Sequence, residues 1–522
     1  MDADVVVAGA GPVGLMTACE LALQGVAVVV LEQLREPGDE SRAQVLHGRT
    51  IPVLDQRGLL GRFTAAERGL NGGGGRSHDK RALPKGHFAG ITGLDFAGPG
   101  GGLPAAVFVP QAVTTRLLAD RAAELGVDVR RGARVTGAEQ DADGVTVLLA
   151  DGTRVRARYA VGCDGARSAV REAAGIGFSG TASTLSTTAG EVLLGDPANA
   201  PAGWQRTPRG CTVMSVHPGG GRSRVVAIEF SGPPRDREAP VTVEELSATV
   251  ARIHGRAVPM TGLEAGARYG DAARLADAYR SGRILLAGDA AHIHYPVGGQ
   301  GLNIGLQDAV NLGWKLAEAL RRQAPEALLD SYESERRPVA AAVLMHTRAQ
   351  IALLAPDPRV DALREMFTEL IGFDQVNRYL AEKISATDIR YDMGPDATDP
   401  NAVGPEDAHP LVGRFVPPVE LTVDGARRPL SGLLHTGRSV LLALDGDVDR
   451  LTSAAHAAAG RQARLDVVPG RCPELSGLAA LLVRPDGYVA WAAGTGLPAE
   501  QFRQGLDAAL RRWLGDDSRA TH

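Results

Sequence analysis

The chain has 522 residues, including 65 Gly, 31 Pro and only 22 aromatics, with a net charge of -5. That length suggests about three domains, and a 44% hydrophobic, 22% charged composition excludes a wholly disordered or collagen-like chain. Of 56 basic residues only Lys80, Lys85, Lys315 and Lys383 are lysines, and no basic run reads as a nucleic-acid stripe. Cys19, Cys163, Cys211 and Cys472 are scattered without CxxC or metal-ligand spacing, which fits a reducing compartment. The acidic start Met1-Asp2-Ala3-Asp4 is unlike a signal peptide, and no apolar run of about 20 residues exists. A cytoplasmic protein with no membrane partner is expected.

In chain order, Asp4–Ala8 reads as a buried strand, Gly9–Gly14 as a glycine turn and Pro12–Gln24 as a helix closed by Gly25. Ala27–Leu31 is a second strand, ending at Glu32. A helix over Pro110–Leu125 precedes four short strands, Val127–Arg131, Arg134–Gln140, Gly144–Leu149 and Arg154–Val161, read together as a meander. Residues 176–270 alternate strands (Thr212–Val216, Ser223–Phe230) with turns, plus one helix near Val243–Ile253, and suggest an inserted sheet. Strand Arg283–Ala287 then feeds a long helix from about Leu302 to Arg322. Arg336-Arg337-Pro338 reads as a helix end, and residues 393–409 as a linker. The rest reads as strand Ser439–Leu444, helix Asp449–Ala459, strands Ala463–Val468, Ala480–Arg484 and Tyr488–Ala492, and helix Ala499–Leu514.

Three motifs carry chemistry. Gly9-Ala10-Gly11-Pro12-Val13-Gly14 is a GxGxxG turn between a strand and a helix, with Glu32 ending the next strand. This is the context a dinucleotide site requires: the turn lets pyrophosphate reach backbone N–H groups, and the acid accepts ribose hydroxyls. An acid at that position disfavours a 2′-phosphate, so FAD or NAD is expected rather than NADP. Val161–Arg171 (VGCDGARSAVR) and Leu286–His292 (LAGDAAH) each end a strand, and Pro296–Asn303 (PVGGQGLN) enters the long helix.

In this order and spacing the motifs resemble the flavin-dependent aromatic hydroxylases of the p-hydroxybenzoate and phenol hydroxylase group, the class A flavoprotein monooxygenases. Ser41-Arg42-Ala43, Val109-Pro110-Gln111 and Arg484-Pro485-Asp486-Gly487-Tyr488 extend the resemblance over the whole chain. It looks nearest to hydroxylases that tailor aromatic polyketides and to rifampicin monooxygenase. The resemblance implies an α/β fold: a Rossmann-like FAD-binding domain (1–175 and 271–392), an inserted β-sheet substrate domain (176–270, with parts of 71–110) and, past the 393–409 linker, a thioredoxin-like C-terminal domain (410–522). That last domain lacks CxxC, so an interface role is expected for it.

It also implies a set of FAD contacts: Gly9, Gly11, Pro12, Val13 and Gly14 at the turn; Glu32 at the ribose, with Gln33 beside it; Arg42 and Gln111 toward the pyrophosphate and ribityl chain; and Val135 at the adenine. Asp164, Gly165, Gly288 and Asp289 complete the two Gly-Asp motifs. Pro296, Gly299, Gly301, Leu302 and Asn303 would pass beside the isoalloxazine, with the Pro296 carbonyl near the reacting atoms. Arg167 would bear on NADPH (or NADH), a transient co-substrate, since no second dinucleotide fold is present.

The implied reaction is hydroxylation of a polycyclic phenolic polyketide by O2 through a C4a-hydroperoxyflavin. Baeyer–Villiger oxygenation, antibiotic inactivation and a catalytically silent flavin-binding protein stay open as alternatives, as does a homodimer. No metal is expected: His292 and His294 lack a third ligand in context and read as pocket or packing residues, and His47 has still less behind it. Val192, Leu194, Met214 and Val226 are candidate lining for the substrate sheet.

Overall fold

The computed structural model describes residues 1–38, 43–70, 86–96, 98, 100–217, 221–236, 239–321, 326–394, 409–444, 446 and 464–515. The first strand, Ala3–Ala8, pairs in parallel with Val28–Glu32 on one side and Arg154–Gly162 on the other. The crossover between the first two strands is the helix Pro12–Leu23. Val5, Val6, Val7 and Val30 are fully buried, as continuous aliphatic strands covered on both faces must be. Ile284–Leu286 extends the parallel set beyond Arg154–Gly162.

One expected strand belongs elsewhere. Asp128–Arg131 is not part of the meander but pairs in parallel with Val28–Glu32 at the edge of the main sheet. The helix Gln111–Glu124 is the crossover that makes this parallel pairing reachable. Only Val135–Gln140, Val145–Leu149 and Arg154–Gly162 form the antiparallel meander.

A second sheet of five antiparallel strands runs Gly203–Thr207, Gly210–Ser215, Ser223–Glu229, Ser186–Leu194 and Met260–Tyr269. The helix Val243–His254 covers one face, burying Leu246, Val250 and Ile253 against Val192, Met214, Val225 and Ala227. Val192 and Met214 therefore pack against this helix and do not line the open face. Their partners in register, with period-2 alternation, put Val226 on the opposite side.

The long helix Gln300–Leu320 begins two residues before the expected Leu302, because Gly299 takes a left-handed φ of 64° and caps it. The helix Glu326–Leu354 contains Pro338, so Arg336-Arg337-Pro338 does not end it. Proline frees the carbonyl of residue i−4, here Ser334, and both Ser334 and Pro338 lie on the exposed side, where that carbonyl is open to solvent.

The C-terminal sheet runs Leu465–Pro469, Ser439–Ala443, Leu478–Val483, Val489–Gly494, with the first pair parallel and the others antiparallel. With the helix Ala499–Leu514 this is the thioredoxin-like order; the expected helix Asp449–Ala459 lies outside the described residues. The sheet docks on the first domain through buried charge. Arg484 bridges Glu335 (2.7 Å) and Asp486 (2.5 Å), Lys315 reaches Glu335 at 2.8 Å, and Asn311 donates to both carboxylates. Arg57 pairs with Glu20 and donates to the carbonyls of Leu434 and Pro485. Among the described residues no single helix is long and apolar enough to cross a membrane.

Candidate active site

The glycine turn is shaped by close backbone approach. Gly9 has φ +98°, and a Cβ there would lie 2.5 Å from the Cys163 carbonyl; one at Gly14 would lie 2.0 Å from the Gly9 carbonyl. Gly11, by contrast, faces open space with nothing within 4 Å. Two glycines thus pack strand, turn and helix together, and the third leaves room for a pyrophosphate beside the start of the Pro12–Leu23 helix.

Glu32 is half-buried, accepting from Ala10 N (2.7 Å) and Leu34 N (2.8 Å), which ties the acid to the turn with lone pairs left for hydroxyl donors. Gln33 beside it is exposed. The Glu32 carbonyl accepts from Ala133 N, and Val135 lies two residues beyond that contact. Gln111 is joined to Ala43 by two hydrogen bonds, Ala43 N to its side-chain oxygen and its own N–H to the Ala43 carbonyl. Arg42, one residue earlier, lies outside the described residues.

The two Gly-Asp motifs behave differently. Asp164 turns its carboxylate onto Ser168 Oγ (2.5 Å) and Val170 N (3.2 Å), capping the next helix, and burial raises its pKa above the ordinary aspartate value. Gly165, at φ +83°, faces open space, and Arg167 is exposed. Burial pushes the Cys163 thiol far up, so it fills space and carries no nucleophile.

Gly288, at φ +62°, is pressed against Val13: a Cβ would meet that side chain at 3.0 Å. Asp289 is exposed between buried Gly288 and Ala290. The turn is held from behind by Asp308, which accepts from Gly288 N (3.2 Å), His292 Nε2 (2.7 Å) and Arg336 Nε (2.8 Å). Arg336 also donates to the Ile304 carbonyl and the Tyr391 hydroxyl. Burial pushes the Asp308 pKa up, but Arg336 and His292 outweigh it and hold it below the ordinary value. His292 is thus a packed partner of Asp308. Among the described residues no cluster of three His, Cys, Asp or Glu is placed to hold a metal.

The loop Pro296–Gly299 and the first turn of the long helix are fixed by one amide. Asn303 accepts from His47 N (3.0 Å) and donates to the carbonyls of Gly299 (2.8 Å) and Val45 (3.2 Å). Gly301 is open except toward His294 Nε2, and Pro296 is exposed. Leu302 is half-buried on the same turn.

From this loop runs the sheet face opposite the covering helix, buried near the loop and open at its far end. Tyr295, next to Pro296, shares a 2.8 Å hydrogen bond with Thr187, and its ring lies 5.8 Å from that of Tyr269. Along the same face follow Ala189 with Val226 and Val213, then Glu191 with Arg224 and Ser215. The last group, with Gln44, His217 and Arg222, lines a cleft of about 320 Å³.

These parts fit FAD: open space at Gly11 and Gly165, an acid at the second strand end, and an exposed aspartate on a glycine turn beside the first helix. Sequence reasoning missed Asp308, Glu191 and Arg224, and it gave Arg336 and His47 other readings. For Asp308 a signal existed, since Asp308, Asn311 and Lys315 form an i, i+3, i+7 polar stripe on a helix that also carries Leu306, Val310, Leu312 and Leu316.

Comparison with known proteins agrees with this geometry. The FAD binding domain family matches residues 2–347, and the aromatic-ring hydroxylase C-terminal family matches residues 409–516. The 12-dehydrotetracycline 5-monooxygenase/anhydrotetracycline 6-monooxygenase of Streptomyces rimosus is 43% identical, over 98% of this chain and 99% of that protein. Rifampicin monooxygenase of Streptomyces venezuelae is 42% identical over 98% of each. The solved structure of OxyS anhydrotetracycline hydroxylase from Streptomyces rimosus superposes with a TM-score of 0.85 at 42% identity, covering 99% of this chain and 100% of that one. A glycine cradle, an open sheet and end-to-end similarity of this order leave one assignment: the chain belongs to the FAD-dependent aromatic-ring hydroxylases, the class A flavoprotein monooxygenases that use NAD(P)H.

Proposed function

We propose that the protein hydroxylates a polycyclic phenolic substrate of the aromatic polyketide type, received by the Glu191–Arg224 cleft at the open end of the sheet face that leads from the flavin loop. The observation that carries this is the gradient on that face. It is aromatic and hydroxylic at Tyr295, Tyr269 and Thr187, aliphatic at Ala189, Val213 and Val226, and charged at Glu191 and Arg224. Thr187, Ala189 and Tyr295 are buried, and the open part of the face is the cleft of about 320 Å³ over Val213, Val226, Glu191 and Arg224. Arg224 Nη1 is buried, 3.8 Å from Glu191, and makes no hydrogen bond, so a donor awaits an acidic or carbonyl-bearing ring edge.

FAD, when bound, supplies the hydride acceptor and the oxygen activation. The chain's own residues do the rest. Asp289 would accept from hydroxyls of the ribityl chain, Glu32 would accept from those of the ribose, and the first N–H groups of the Gln300–Leu320 helix would offset negative charge. The sheet face orients the ring and excludes water.

The test is product mass from a panel of polycyclic phenols supplied with NADPH and O2, together with Arg224→Leu. Gain of one oxygen with every ring retained is expected. Loss of one charged hydrogen bond should raise KM by about tenfold or more while kcat changes little. A lactone product would instead support Baeyer–Villiger oxygenation, and an unchanged KM would remove Arg224 from substrate recognition.

A further inference from the structure

We propose that His47 is a positioning residue for the flavin: by gripping the carbonyls of Gly298 and Gly299 it sets the loop that turns the start of the Gln300–Leu320 helix toward the isoalloxazine. This rests on the FAD reading above and adds to it a residue outside every recognised motif.

The geometry is a two-armed clamp. His47 Nε2 lies 3.2 Å from the Gly298 carbonyl and 3.3 Å from that of Gly299. Both partners are acceptors, so the Nε2 proton is shared between them, and this defines the tautomer. The second arm is the His47 backbone N–H, which donates to Asn303 Oδ1 at 3.0 Å, while Asn303 Nδ2 closes the loop onto Gly299. Gly298 and Gly299 both take positive φ, 82° and 64°, a shape glycine adopts freely but does not hold unaided. The neighbouring bulk agrees: a Cβ on Gly299 would meet Val45 at 3.2 Å and the His47 ring at 3.5 Å. With its carbonyls drawn back to His47, the loop leaves Gly299 as a helix cap with no side-chain hydrogen bond at the helix start.

The experiment compares His47→Leu, which removes the donor, with His47→Gln, which restores an N–H. FAD binding to apoprotein is read from quenching of flavin fluorescence, and the flavin environment from its visible absorption bands and reduction potential. The leucine variant should bind FAD about tenfold or more weakly, since two hydrogen bonds are lost, with shifted bands and potential. The glutamine variant should recover most of the affinity and the native spectrum. His47→Phe replaces the leucine variant if that fails to fold. Leucine or phenylalanine protein with native FAD affinity, bands and potential would overturn the proposal. So would a glutamine variant no better than leucine. Wild-type protein that binds no FAD would sink the cofactor reading itself, a separate outcome.

Discussion

Asp308→Ala should yield protein that unfolds several degrees lower and keeps little FAD after desalting. Asp308 and Arg336 are each 1% exposed, and the carboxylate is the counterion of that guanidinium. Removing it leaves a buried charge without compensation, a loss of about 3–5 kcal/mol, set against a typical total of about 5–15 kcal/mol. The same carboxylate holds Gly288 N, so the turn that presents Asp289 loosens with it. Asp308→Asn keeps an acceptor but no charge and should fall between. Removing both charges, in Asp308→Ala/Arg336→Met, should restore part of the stability without restoring FAD. A double variant no more stable than the single one would contradict the charge argument. Because the folded pKa is depressed, this stabilisation is present above the ordinary aspartate value and is lost as pH falls through the lower folded one.

The second large effect is at the domain junction. Arg484→Ala should uncouple the C-terminal sheet, seen as a split calorimetric transition and new protease sensitivity within residues 464–515. Arg484 is 1% exposed and is the cation shared by Glu335 and Asp486, with its guanidinium 4.5 Å from the centre of the Trp513 ring. Burial pushes Glu335 up, but Arg484 and Lys315 prevail and bring it down to about 2. Its contribution is therefore present above the ordinary glutamate range and fades only as pH falls toward about 2. Losing the shared cation leaves two buried acids facing one lysine, a loss again of about 3–5 kcal/mol. Arg484→Lys should recover only part, because a single ammonium cannot reproduce the fork. A single native-like transition in Arg484→Ala would show that apolar packing alone holds the domain.

Local features are legible in the amino-acid sequence. The Gly9–Gly14 turn, the Gly288-Asp289 pair and the Pro296–Asn303 entry each depend on residues a few positions apart, so their meaning survives in one dimension. The strands of the C-terminal sheet are likewise legible by their periods, while their thioredoxin-like order comes with the family resemblance. What escapes depends on partners far along the chain. Asp308 means little until Arg336 is brought against it, and His47 stands more than 250 residues from the carbonyls it holds. Strand phase escapes too: Val192 and Met214 have the right apolar character, but their alternation sends them to the covering helix. Pro338 reads as a stop because proline usually is one; only the solvent-facing position of Ser334 makes it tolerable inside a helix. Asp128–Arg131 reads as a meander strand because short range shows turns and not crossovers.

The central claim is that this cradle binds FAD and uses it to put oxygen on a ring held along the open sheet. It is tested most directly by mixing the FAD-loaded protein anaerobically with NADPH, with and without a polycyclic phenol, then admitting ¹⁸O2. Flavin absorbance should bleach, faster with the phenol present, and the product should carry one labelled oxygen. Protein that takes up no FAD, or flavin that neither NADPH nor NADH reduces with any phenol in the panel, would contradict the account.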